Sequence, residues 1–117
     1  MPEERTRRSV KNRRSQRIEL RVPVVIYRPA GEGPPFYETT ETIVVSAHGA
    51  LVPLKGLVAT RQRLLVQNTS SGEQQECRVV SIQSEMAGPS KVAVEFARPV
   101  PKFWRIAYPP SDWNGPV

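Results

Sequence analysis

Aspartate, histidine and cysteine are almost missing from this 117-residue chain: Asp112, His48 and Cys77 each stand alone. A lone cysteine excludes an internal disulfide, and nothing near it has metal-ligand spacing. In "QECRVV" Cys77 reads as a small buried strand residue rather than a redox or catalytic thiol. His48 has no carboxylate or cysteine paired with it in sequence context, so it reads as a structural residue of an exposed turn. With no nucleophile-and-base pair, no metal constellation and no glycine-rich loop opening a helix, the chain reads as a non-enzyme without cofactor or metal. No apolar run is long enough to span a bilayer, and the charged N-terminus lacks the apolar core of a signal peptide. A soluble, reducing, cytoplasmic setting is expected. Long helical periodicity is missing too. Twelve Pro and seven Gly favour short elements and many turns over a helical bundle.

What the chain has in excess is positive charge at one end. Residues 1–21 hold eight Lys or Arg against three Glu, whereas residues 22–117 hold nine basic and eight acidic side chains. A basic arm on a nearly neutral body points to one anionic partner met at one place. Six of the eight are arginines up to Arg17: Arg5, Arg7, Arg8, Arg13, Arg14 and Arg17. Guanidinium offers a flat fork to phosphate oxygens or a guanine edge and stacks on flat rings, which an ammonium does poorly. Arg5, Arg7 and Arg8 read as a solvated tail.

Residues 1–12 carry almost no apolar side chains and are expected to be a disordered basic arm. From Ile18 the pattern changes: Ile18, Leu20, Val22, Val24 and Ile26 alternate with mostly polar residues, as in a half-buried strand. Pro23 cannot donate to a ladder, so this strand is expected at an edge or bulged. After a loop at "AGEGPP", residues 37–52 read as a strand interrupted at Ala47–Gly49. Then follow "RLLVQN", a hairpin turn in "TSSGE", "CRVVSI", a loop at "AGPS", and "KVAVEF" with Val92, Val94 and Phe96 on one face. Residues 13–100 are expected to form an all-β domain, a small antiparallel barrel or sandwich. Residues 101–117 form a segment rich in Pro and aromatics, in which Pro101 is expected to open a short helical turn and Pro109-Pro110 to end it. Its Phe103, Trp104, Tyr108 and Trp113 are half of the chain's aromatics. They fit a clasp over an open barrel end better than a base-stacking platform.

Two motifs stand in order. In Arg13-x-x-x-Arg17 the spacing of four puts both guanidiniums on one side, whether the segment is helical or extended. In Val44-Val45-Ser46-Ala47-His48-Gly49, Ile43 and Val45 are expected to face the core. Thr42, Val44 and Ser46 then turn outward, and Gly49 permits a bulge or a close backbone approach. This arrangement resembles the PilZ domain, a bacterial receptor module for cyclic di-GMP, over about residues 11–100: "RRSQR", "RVPVVI", "VSAHGALV" and the "CRVV…KVAVEF" pair. The closing "FWRIAYPPSDW" is similar to the tail of one branch of such proteins. The resemblance implies a six-stranded antiparallel barrel with an arginine-bearing segment that wraps the ligand against the wall. Arg13 and Arg17, helped by Arg14, would hold phosphates and guanine; Ser46 and Gly49 would line the guanine. Val44 stands where the family has Asp or Asn. The lost hydrogen bond to a buried base is expected to cost roughly 1–3 kcal/mol, one to two decades in affinity.

Three functions follow as expectations: a cyclic di-GMP receptor that changes the surface it offers to a partner protein; a degenerate module that keeps the fold and binds protein only; or a nucleic-acid-binding barrel. The last lacks basic residues spread over the barrel face.

Overall fold

A computed structural model of the chain describes residues 15–114; Arg13, Arg14 and the arm 1–12 lie outside the described residues. Eight strands follow in order: β1 (Ile18–Glu19), β2 (Pro23–Tyr27), β3 (Tyr37–Glu41), β4 (Val44–Ser46), β5 (Gly49–Leu54), β6 (Arg63–Asn68), β7 (Gln74–Gln83) and β8 (Ser90–Phe96). They form one antiparallel sheet in the order β1-β4-β5-β8-β7-β6-β2-β3, curled into a barrel-like wall. The architecture is the all-β barrel class read from the sequence, with eight strand segments in place of six. The extra count comes from two places where one sequence run breaks into two strands.

The first break falls in residues 18–27. Val22, Val24 and Ile26 are buried, so the alternation holds, yet β1 pairs with β4 at one sheet edge while β2 lies between β3 and β6. Pro23 is the first residue of an interior strand rather than a member of an edge strand. That is a position where its missing N–H costs no ladder bond. The second break is at Thr42–Ile43, between β3 and β4; the expected interruption at Ala47–Gly49 is a full reversal in which Ser46 faces Gly49 across a two-residue hairpin.

A bend at Thr42–Ile43 also corrects the expected parity. Thr42 is not outward but 1% exposed. Its hydroxyl accepts from Val22 N–H (2.8 Å) and donates to Leu20 O (2.6 Å), while its own N–H donates to Val22 O. This seam joins the chain after β1 to the chain after β3 and brings the two ends of the sheet together. Ile43, expected in the core, is only half-buried at the bend, and its N–H donates to Leu51 O. Glu38 on β3 reinforces the closure by accepting from the N–H groups of Lys55 and Gly56.

Alternate residues of β6, β7 and β8 fill the interior: Leu64 and Val66, Cys77 and Val79, Val92, Val94 and Phe96. One end is covered by Phe103, Trp104 and Trp113, all buried, with Phe103 edge-on to both Phe96 and Trp104. Tyr108, 94% exposed, takes no part in this cover. The helical turn lies beyond the proline pair, as a 3-10 turn at Ser111–Asn114, and not between Pro101 and Pro109. Pro109 and Pro110 precede it, where fixed φ suits the approach to a helical turn.

Cys77 is buried, and burial pushes its thiol up to about 12. The unfolded thiol ionises near 9, so its share of stability is present below that pH and lost as pH climbs toward 12. The native protein is expected to leave Cys77 unlabelled by a thiol reagent at pH 8 while the urea-unfolded chain labels fully. Rapid native labelling would show that β6 and β7 part readily.

Candidate functional site

Cross-strand register lays outward-facing residues in rows along the barrel wall. Glu19 faces Val44, Val44 faces Leu51, Leu51 faces Ala93, and Ala93 faces Ser81. In the next outward row Ser46 faces Gly49, Gly49 faces Glu95, and Glu95 faces Arg78. Between them runs an inward row, Ile18, Val45, Ala50, Val94 and Val79, which packs on or in the core. A bulge between Val79 and Ser81 lifts Val80 to the surface beside the rows.

These rows floor a cleft of about 520 Å³, lined also by Ser15, Arg17 and His48. Of the residues singled out in the sequence, Arg17, Ser46 and Gly49 come together here, and so does Val44; Arg13 and Arg14 lie outside the described residues. The floor is apolar at Val44, Leu51 and Ala93. Its polar lining includes Arg17, Ser46 and Ser81 and the carboxylates of Glu19 and Glu95. Arg17 is exposed, and its side chain makes no ion pair among the described residues.

Ser46 has two tasks. Its Oγ accepts from His48 N–H (3.1 Å), a short side-chain bond that shapes the hairpin, and this leaves its hydroxyl proton free to donate into the cleft. Its carbonyl accepts from Trp104 Nε1 (2.8 Å), so the clasp also fixes this hairpin. Gly49 is required by the fold itself: a Cβ there would sit 2.0 Å from Val94 O and 3.0 Å from Glu95 Cα. The close approach read from the sequence is thus to β8 of its own chain. His48 is a turn residue as expected but half-buried rather than exposed; its Nδ1 lies 3.1 Å from Ser15 Oγ and its carbonyl accepts from Phe96 N–H.

Ser15 and Gln16 were not legible as part of the site. Ser15 is buried against His48. Gln16 N–H donates to Asp112 Oδ2 (3.0 Å), and Gln16 O accepts from Trp113 Nε1 (2.7 Å). Ala93 and Glu95 were visible as the set opposite Val92, Val94 and Phe96, but their meeting with Leu51, Val44 and Ser46 depends on register, which alternation alone leaves open.

A second hollow, between the loop after β2 and residues 57–62, is a less apt site. The guanidinium of Arg28 there already donates to the carbonyls of Pro34 and Leu57 and lies over the Phe36 ring.

A curled antiparallel sheet with Arg17 beside a cleft on its outer wall defines a small β-barrel domain. The PilZ domain family model matches residues 11–102, and the chain belongs to that family. Among solved structures, it is similar to the inhibitor of motility MotI/DgrA of Bacillus subtilis, at 20% identity and a TM-score of 0.53. The likeness covers 74% of this chain and 43% of that one, and it concerns the fold. No curated protein matches the chain significantly.

Proposed function

We propose that this chain is a cyclic di-GMP receptor and adaptor domain of the bacterial cytoplasm, whose nucleotide-dependent surface signals to a partner protein. The observation that carries this reading is the convergence of Arg17, Ser46 and Gly49 on one cleft of the barrel wall. The guanidiniums of Arg17 and Arg13, with Arg14 nearby, hold phosphates and the guanine edge; Ser46 donates to the base; Gly49 keeps the wall flat where the ligand lies. Nucleotide binding changes the surface that the partner reads.

Calorimetric titration with cyclic di-GMP tests the reading directly. The expected affinity is micromolar, roughly −7 to −9 kcal/mol. Absence of heat at high nucleotide concentration would favour the second reading, a PilZ-fold protein-interaction module. One observation speaks for that reading: Val44 offers no polar group to a base.

Val44 lines the cleft and is half-buried, outward of the core row that holds Val45. Val44→Asp or Val44→Asn is therefore expected to change stability by no more than about 1 kcal/mol. The same change is expected to raise cyclic di-GMP affinity roughly tenfold, through a new acceptor for the guanine edge. A folded variant with unchanged affinity would place the nucleotide elsewhere.

A further inference from the structure

We propose that Asp112 and Trp113 are positioning residues for the nucleotide: the C-terminal turn grips the backbone of Gln16 and so sets where Arg17 enters the cleft. The inference rests on the cyclic di-GMP reading above.

Both backbone polar groups of Gln16 are taken by one turn. Its N–H donates to Asp112 Oδ2 (3.0 Å), and its carbonyl accepts from the indole N–H of Trp113 (2.7 Å). The two partners are adjacent in sequence and lie nearly a whole chain away from Gln16. Asp112 is the sole aspartate, and Trp113 is anchored by a ring that is 1% exposed. Trp113 N–H donates to Pro110 O (3.0 Å), which closes the turn behind a proline pair of restricted φ. The side chain of Gln16 takes no part in either bond, so the grip is on the main chain.

Arg17 needs such a grip. The strand that follows it, β1, is two residues long and meets only β4, through Ile18 with Val45 and Glu19 with Val44. So short a strand holds little by itself. With Gln16 held at two atoms and Ser15 buried against His48, Arg17 leaves the wall from a fixed backbone, and less conformational entropy is lost when its guanidinium meets a ligand. By linkage, bound nucleotide must stabilise the contact between Gln16 and the turn to the same degree.

The test uses the full chain and three variants. Asp112→Ala removes the acceptor, Asp112→Asn keeps an acceptor oxygen, and Trp113→Phe keeps a ring but loses the N–H. Cyclic di-GMP affinity, amide exchange at Gln16 without and with nucleotide, and melting temperature are measured for each. Asp112→Ala and Trp113→Phe are expected to weaken binding about tenfold, one hydrogen bond's worth. They should also speed Gln16 exchange while barrel amides keep their protection. Asp112→Asn should stay close to the parent, and nucleotide should slow Gln16 exchange in the parent. Unchanged affinity in both disrupting variants would overturn the positioning role and leave the nucleotide reading standing. An equal loss in Asp112→Asn would assign the effect to charge and overturn the anchoring. A parent that binds no cyclic di-GMP would sink the nucleotide reading and the positioning role with it; Gln16 exchange, measured without ligand, separates that result from a failure of the grip itself.

Discussion

Arg17→Ala is expected to remove most cyclic di-GMP binding while leaving the barrel folded. The side chain is exposed, ends in the cleft, and makes no ion pair among the described residues, so its loss empties no core and strands no buried partner. A charge-assisted contact to phosphate or to the guanine edge is worth about 2–3 kcal/mol, roughly a 30- to 150-fold change in affinity. From a micromolar parent, the variant then falls toward millimolar binding. Arg17→Lys is expected to recover little, because an ammonium restores the charge but neither the fork nor the stacking face. Calorimetry on the three proteins, with melting curves alongside, decides the matter. A lysine variant that binds as well as the parent would reduce the role of Arg17 to charge alone.

Gly49→Ala is expected to be the most destabilising single substitution in the cleft. Its Cβ would overlap Val94 O at 2.0 Å and crowd the Val94 carbonyl carbon and Glu95 Cα at 3.0 Å. These are main-chain atoms of the neighbouring strand, which cannot swing aside as a side chain can. The strands β5 and β8 share six paired positions, from Gly49 with Glu95 to Leu54 with Ser90, and one end of that ladder would have to open. Overpacking against backbone costs about 3 kcal/mol, which for a domain of this size lowers the melting temperature by roughly 10–20 °C. A Gly49→Ala protein that melts with the parent yet loses nucleotide would reverse the order of roles and make the glycine a ligand contact first.

Both outcomes depend on features that were unequally visible in the amino-acid sequence. Strand content, the buried faces of Val22–Ile26 and Val92–Phe96, the burial of Cys77 and the aromatic clasp follow from alternation and composition, because one face of each strand must leave water. The convergence of Arg17, Val44, Ser46 and Gly49 was suggested by motif order and is realised through the β1–β4–β5 register. Three things were not visible. Thr42 reads as an outward polar residue because nothing in a linear pattern announces a bend. Its burial is stabilised by hydroxyl and backbone bonds to Leu20 and Val22, two residues on the far side of a seam. The split of residues 18–27 into two strands at different places in the sheet is a topological event, and local alternation continues through it undisturbed. The grip of Asp112 and Trp113 on Gln16 joins the two ends of the chain through main-chain atoms, which carry no residue-type signal at position 16.

The ruled arrangement of the wall has a consequence for descent. On β4, β5 and β8 each residue of the cleft floor sits one step along its strand from a residue of the inward row: Val44 and Ser46 beside Val45, Leu51 beside Ala50, Ala93 beside Val94. Lineages of this domain can therefore change what the wall recognises one outward position at a time, with each intermediate still folding on an untouched interior. Gly49 is the exception, since it serves both accounts at once. An exchange between valine and aspartate at position 44 is then one that the demands of folding leave open.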